Sequence, residues 1–197
     1  MNVHQIAVKC TLVGVAALAL GALPSSRALA RSENEQAGAK HHGQADGLIK
    51  AVREATYRYQ DVSVAEAEGY SLMFGCVSGP DSGAMGLHYV NLPLVLDGVL
   101  DPAKPEIIIY EPLPNGRLKM TGADFLVFAA DWHKNYAATP ELMGQLLHLF
   151  ESPNRFGLPN FYTLHVWAWK ENPTGAFSNW HANVSCDAFA PGASIDE

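Results

Sequence analysis

The chain has 197 residues, a length that sets an expectation of one domain. Hydrophobic residues make up 48% of it and charged ones 17%, which excludes a disordered acidic chain. A formal net charge of -7 argues against nucleic acid as a partner, because affinity for phosphate comes chiefly from clustered Lys and Arg.

The first residues are unlike the rest. Met1 to Lys9 is a short polar start, Cys10 to Leu23 carries no charge, and Ala28-Leu29-Ala30 closes the segment with a small-x-small pattern. This order predicts a secretory signal peptide over residues 1–30, cleaved after Ala30. The uncharged run is shorter than the roughly 20 apolar residues that span a bilayer, and no other stretch is long enough. The expected destination is the periplasm or the extracellular medium, with no membrane span after the signal is removed. Cys10 leaves with the signal, and Cys76 and Cys186 remain. Two thiols in an exported chain pair to form a disulfide, whereas a redox pair would be spaced C-x-x-C.

Residues 31–47 are polar, contain glycine and lack periodicity, which predicts a flexible leader in which His41-His42 is solvated. Order is expected from Asp46 as an N-cap. Leu48, Ile49, Val52, Ala55, Thr56 and Tyr59 then recur at helical spacing. Ser63-Val64-Ala65-Glu66 reads as the capping box of a second helix, with Gly69 as its stop. Tyr70 to Asn91 is glycine-rich and is expected to be loop, ending in a strand near Leu87 to Val90. Ile107 to Tyr110 and Asp124 to Ala129 read as strands on either side of a Pro114-Asn115-Gly116 turn. Thr139-Pro140 opens an expected helix to about Glu151, carried by Leu142, Met143, Leu146, Leu149 and Phe150. Phe161 to Trp169 is the best strand of the chain. Residues 48–187 are therefore expected to form one α+β domain, a mostly antiparallel sheet with flanking helices and long Gly/Pro-rich loops, followed by a tail over residues 188–197.

Common enzyme signatures are absent: there is no G-x-S-x-G, no H-E-x-x-H, no P-loop and no G-x-G-x-x-G. The chemistry sits in scattered histidines. Alternation along the Phe161–Trp169 strand puts Thr163, His165, Trp167 and Trp169 on one face. Such a face reads as a ligand-lining wall, with Asn91 added from the strand before it. His88 leaves the glycine-rich segment at the start of a strand, and Asp124 interrupts an apolar run where an unpaired carboxylate would be costly. His88, His165 and Asp124 are the candidate ligands of a divalent transition metal, with Glu111 as the alternative acid. The competing reading makes His165 a core histidine satisfied by an ordinary hydrogen bond.

Gly86-Leu87-His88-Tyr89-Val90-Asn91, Asp101-Pro102-Ala103-Lys104-Pro105-Glu106, Tyr110-Glu111-Pro112, Asn172-Pro173-Thr174-Gly175-Ala176-Phe177 and Asn183-Val184-Ser185-Cys186 carry a resemblance over about Ala51 to Cys186. On these motifs the chain resembles an uncharacterised family of exported bacterial proteins. The resemblance implies export and brings no activity with it. Three functions stay open: an exported protein that binds a small-molecule ligand or a metal, a metal-dependent enzyme with a His/carboxylate site, and a structural or interaction domain.

Overall fold

Helix α1 (Ser26–Thr56) opens the described part of the chain in a computed structural model, which describes residues 26–79 and 81–189. The expected signal peptide falls mostly on residues 1–25, outside that description, as does most of the expected C-terminal tail. The chain divides into two compact units, residues 1–37 and 38–197, and the sheet lies in the second. Because α1 begins at Ser26, residues 31–47 are helical and not an irregular leader, and Asp46 is no N-cap. Ala, Glu, Gln, Lys and Arg are strong helix formers and no proline interrupts them. Arg31 and Glu35 pair at 3.0 Å one turn apart. Periodicity misses such a stretch because Glu35 to Gly43 bury nothing. From Leu48 onward the helix is amphipathic, with Leu48, Val52 and Thr56 fully buried.

A 3-10 turn (Tyr57–Gln60) leads into α2 (Val62–Ala67). Asp61 caps α2, its carboxylate accepting the backbone N–H of Ser63 at 3.0 Å, so the cap lies two residues ahead of the expected Ser63. The chain then reverses at Gly69, where φ is +95°.

The sheet is built from β1 (Ser71–Gly79), β2 (Gly83–Val90), β3 (Ile107–Pro112), β4 (Leu118–Phe128), β7 (His148–Phe150) and β8 (Phe161–Val166). Its order is β1-β2-β3-β4-β8-β7, and every neighbouring pair is antiparallel. Two short helices, α3 (Leu92–Asp97) and α4 (Ala129–Trp132), follow β2 and β4. The expected α+β architecture is the one the chain adopts.

Three elements differ from expectation. The glycine-rich segment after Tyr70 is a hairpin and not loop, because β1 pairs with β2 across a bulge. Register passes from Met73 opposite His88 to Cys76 opposite Leu87, leaving Phe74 and Gly75 unpaired with φ of +66° and +64°. A left-handed φ costs a bulky residue such as Phe74 about 1–2 kcal/mol. Second, the expected helix over 139–151 is replaced by a hairpin of β5 (Glu141–Leu142) and β6 (Gln145–Leu146), followed by β7. Met143 and Gly144 both have positive φ, the geometry of a two-residue hairpin turn, which a helix cannot contain. Of the leucines that suggested a helical stripe, Leu142 is buried while Leu146 and Leu149 are exposed. Third, β8 ends at Val166, three residues before the expected end.

Both faces of the sheet are covered. Leu87, Tyr89, Tyr110, Phe125 and Leu164 pack against Leu48, Val52, Tyr59 and Ala65 from the helical segments. Tyr110 Oη donates to the Tyr59 carbonyl at 2.6 Å, tying the 3-10 turn to β3. On the opposite face Ile107, Ile109, Leu126 and Trp167 pack with Val95, Val184 and the loop residues Phe156 and Leu158. Strands buried on both sides read as continuous apolar runs, which is why β3 and the second half of β4 were legible, while β4 starts at Leu118, six residues before the expected Asp124. Among the described residues no helix is long and apolar enough to cross a membrane.

Cys76 on β1 and Cys186 in the last described segment form a disulfide, with Cα atoms 5.7 Å apart. They are 110 residues apart, and a loop of that length gives about 4–5 kcal/mol in the chain-entropy view. Thiol titration of the unreduced, denatured protein is expected to find neither Cys76 nor Cys186 free. Replacing both with Ser is expected to lower unfolding free energy by at least about 2 kcal/mol in urea titrations. Two free thiols, or an unchanged midpoint, would contradict the pairing.

Candidate metal centre

His88, Asp124 and His165 come from three strands and meet on one face of the sheet. Antiparallel register sets Asp124 on β4 directly opposite His165 on β8, the closest relation two side chains on neighbouring strands can have. His88 lies one strand further on, paired with Ile109 of β3, which itself separates β2 from β4. The His88 and His165 rings are 5.8 Å apart between centroids and cross at 81°. One ligand atom from each of the three residues lies within 4.8 Å of the other two. Two bonds of 2.0–2.1 Å to one ion span about 3.3 Å at a tetrahedral angle, so side-chain movements of up to about 1 Å per atom would close the cluster.

Burial governs its charge. His88, Asp124 and His165 are 4%, 3% and 2% exposed. Loss of solvent pushes the His88 imidazole down to about 4, helped by the neighbouring His165, and pushes His165 down to about 3. The same loss of solvent lifts Asp124 to about 6, against the pull of a hydrogen bond from Thr163. Near neutral pH the cluster is two neutral imidazoles and one carboxylate, the protonation state a cation requires.

The hydrogen bonds sort the ring nitrogens. His88 Nδ1 lies 3.2 Å from the Gly86 carbonyl. A carbonyl only accepts, so a neutral His88 carries its hydrogen on Nδ1 and turns the Nε2 lone pair toward the cluster. Metal-binding histidines are held in this way by a backbone carbonyl. Gly86 is required at its position: φ is +94°, and a Cβ there would fall 2.5 Å from the Tyr110 carbonyl. The glycine before His88 thus serves a close approach to β3. Thr163 Oγ1 donates to Asp124 Oδ1 at 2.5 Å. His165 is different. Neither ring nitrogen has a hydrogen-bond partner, and the nearest Asp124 oxygen is 3.6 Å away. Asn179 is the side chain beside the ring that favours its protonated form, yet the Asn179 Oδ1 is itself buried without a partner, so the hydrogen bond of an ordinary core histidine is not made here.

The cluster forms the floor of a small cavity, with room for about one or two water molecules. Met85, Ile107, Leu126 and Leu158 line it, together with an aromatic group of Phe74, Phe150, Phe156 and Phe161. Thr163 is the remaining polar residue in the lining.

The other expected wall residues go elsewhere. Trp167 lies on the expected face but stacks beside His165, 6.0 Å away, and donates its Nε1 hydrogen to the Ser178 carbonyl. Trp169 is beyond the end of β8, where alternation no longer applies. Its Nε1 donates to Thr56 Oγ1 at 2.9 Å, on the helical side of the sheet. Asn91 donates to the Glu68 carbonyl and precedes α3, outside the cavity lining. Glu111 is paired with Lys170 at 2.6 Å and is not part of the cluster.

Sequence reasoning missed the cavity walls and one further acid. Phe74 lay in supposed loop, and Phe156 and Leu158 lie in a real loop whose folding onto the sheet leaves no local signal. Glu106 is 1% exposed, and its Oε2 accepts the Leu126 N–H at 3.1 Å. Burial pushes its carboxyl up to about 9. An acid in front of a β-branched run gives no sign of this.

A six-stranded antiparallel sheet with a buried two-histidine, one-carboxylate cluster beneath an apolar cavity thus defines the molecule. Comparison with models of known protein families, with curated proteins and with solved structures gave no match.

Thr163→Val keeps the shape of the side chain and removes the hydrogen bond that stabilises the Asp124 carboxylate. It is expected to move Asp124 above its value of about 6 in an NMR titration of metal-free protein, and to cost about 1–3 kcal/mol at pH 7. An unmoved titration would contradict the role of that bond. Glu106 gives a second check. Its folded value of about 9 exceeds the ordinary 4.5, so the folded state holds a proton that the unfolded state releases. Stability is therefore expected to fall from pH 7 to 9, above the range in which the buried histidines titrate. Glu106→Gln is expected to flatten that fall in urea midpoints, whereas a parallel slope would show Glu106 ionised in the fold.

Proposed function

We propose that this chain is an exported metal-binding protein, holding one divalent transition metal with His88, Asp124 and His165. The observation that carries the reading is His165: a neutral imidazole, 2% exposed, with both nitrogens unpartnered beside a carboxylate and a second oriented imidazole. Buried polar atoms without partners are rare in folded proteins, and a cation would satisfy one nitrogen here at once. Imidazole and carboxylate donors suit Zn, Fe, Cu or Ni better than Ca or Mg. Export supports itself on the sequence of residues 1–30 and on the Cys76–Cys186 disulfide, which persists in oxidising compartments.

A second reading, metal-dependent catalysis, draws on the number of ligands. Three protein ligands leave a coordination position open toward the cavity, as in catalytic zinc and non-haem iron sites, whereas structural zinc sites use four. In that case His88, Asp124 and His165 hold the ion, and the cavity excludes water from whatever occupies the open position.

Protein purified without chelators is expected to contain about one equivalent of transition metal by elemental analysis, or to take up one equivalent of Zn or Co(II) after dialysis against EDTA. His165→Ala and Asp124→Asn are each expected to abolish uptake while unfolding remains cooperative. Micromolar Zn or Co(II) that fails to bind would overturn the reading. Affinity is also expected to depend on pH with a definite sign. A protonated Asp124 cannot ligate, so affinity is expected to fall about tenfold per pH unit below pH 6 and to level off above it. Calorimetric titration at pH 5, 6 and 7 reads this directly.

A further inference from the structure

We propose that the cavity above the cluster takes a small uncharged ligand with an aromatic or aliphatic body and a single oxygen donor, phenol-sized, whose oxygen meets the metal. The position of that oxygen rests on the metal reading; the character of the body does not.

The walls set the body. Every polar side chain in the lining belongs to the floor: His88, Asp124, Thr163 and His165. Among the described residues no lysine or arginine lines the cavity, so a phosphate or sulfonate would be buried without a counter-charge in the lining, which desolvation makes costly. Arg155, on the covering loop, lies outside the lining: it donates to the Ser78 carbonyl at 3.1 Å and sits over the Phe156 and Trp180 rings. Four phenylalanines, with Met85, Ile107, Leu126 and Leu158, form the remainder of the enclosure. Phe74 meets Phe156 edge-on at 5.5 Å, and Phe150 stacks on Phe161 at 5.2 Å. Such a cage favours a planar apolar guest, because ring edges and faces can both be matched.

The floor sets the polar end. A divalent ion on one carboxylate and two neutral imidazoles keeps one uncompensated positive charge and an open position. A neutral oxygen donor fills that position, and so does one that loses its proton on binding. A ligand with no donor atom would leave it unfilled.

Size follows from the mouth. In the form described, the room inside amounts to on the order of one or two water molecules, so a phenol-sized guest needs a wall to move. Phe74 is the wall suited to it. It is 43% exposed and stands in the β1 bulge at φ +66°, a conformation unfavourable for phenylalanine and held only by what surrounds it. Swinging outward removes the Phe74–Phe156 contact and opens the cavity without disturbing a ladder hydrogen bond of β1, because the bulge is already unpaired.

Benzene and phenol are the probes, followed by ligand NMR and calorimetry on EDTA-treated protein and on Co(II)-loaded protein. Both are expected to bind the metal-free protein at millimolar concentration or better. Phenol is expected to bind Co(II)-protein at least tenfold more tightly than metal-free protein and to shift the visible Co(II) bands, while benzene is indifferent to the metal. Leu158→Trp, a filling change at a half-buried loop position, is expected to weaken both probes at least tenfold with Co(II) uptake unchanged. Phe74→Ala is expected to speed their association severalfold. If Co(II) binds and neither probe does, the apolar-ligand inference is overturned while the metal reading stands. If benzene binds and Co(II) does not, the metal reading falls, and with it the directed oxygen. Equal phenol affinity with and without Co(II) also overturns the directed oxygen.

Discussion

The constraint on which the rest depends is that the central strands of this sheet are buried on both faces. The residues of β3 and β8 and residues 120–127 of β4 are buried, so each polar side chain placed there must find its partner within the protein. Asp124 and His165 occupy directly opposed positions in that region, where ionisation of either is costly. Loss of solvent dominates the charge state of both, modified by Thr163 and His88 at Asp124 and by His148 and Asn179 at His165. The sheet also explains why the cluster can be assembled without a local motif. Antiparallel register brings together residues from positions 88, 124 and 165 with no spacing rule visible along the chain.

What could be read in advance followed the burial pattern. Continuous apolar runs at Ile107 to Tyr110 and along β8 identified strands, and a lone Asp in an apolar run marked Asp124. His165 stood out because its strand neighbours alternate cleanly. The helix expected over 139–151 failed because Leu142, Leu146 and Leu149 satisfy a helical stripe as well as a chain of short strands. Gly144 is what decides between them, through the positive φ it shares with Met143. Trp169 left the expected wall because alternation holds only while the strand lasts, whereas Trp167 kept its face but lies beside His165 outside the cavity lining. Phe74, Phe156 and Leu158 were illegible for a different reason: a loop closing over a sheet face is a tertiary event, and nothing in its own sequence records which face it covers.

The cavity and the cluster also divide the work of burial in an instructive way. The helical face of the sheet is closed by α1, the 3-10 turn and α2, with tyrosine hydroxyls finding backbone carbonyls as partners. The opposite face has no long helix over it. Irregular segments around Phe156, Leu158 and Val184 cover it, and the empty space lies beneath one of them. Irregular cover adapts to what it covers more readily than a helix does, since its backbone is not committed to a ladder of internal hydrogen bonds. The buried cluster and its cavity therefore lie on the face where the fold is least regular, while the helical side carries the larger core.

The bulge at Phe74 and Gly75 has a consequence at the rim of the sheet as well. β1 is an edge strand, and a flat edge of nine residues would offer its free N–H and C=O groups to any passing strand. Two unpaired left-handed residues in its middle break that row and twist it, which makes the edge a poor template for another chain. β7, at the other edge, is only three residues long. Both borders of the sheet are thereby protected against edge-to-edge aggregation while the chain folds.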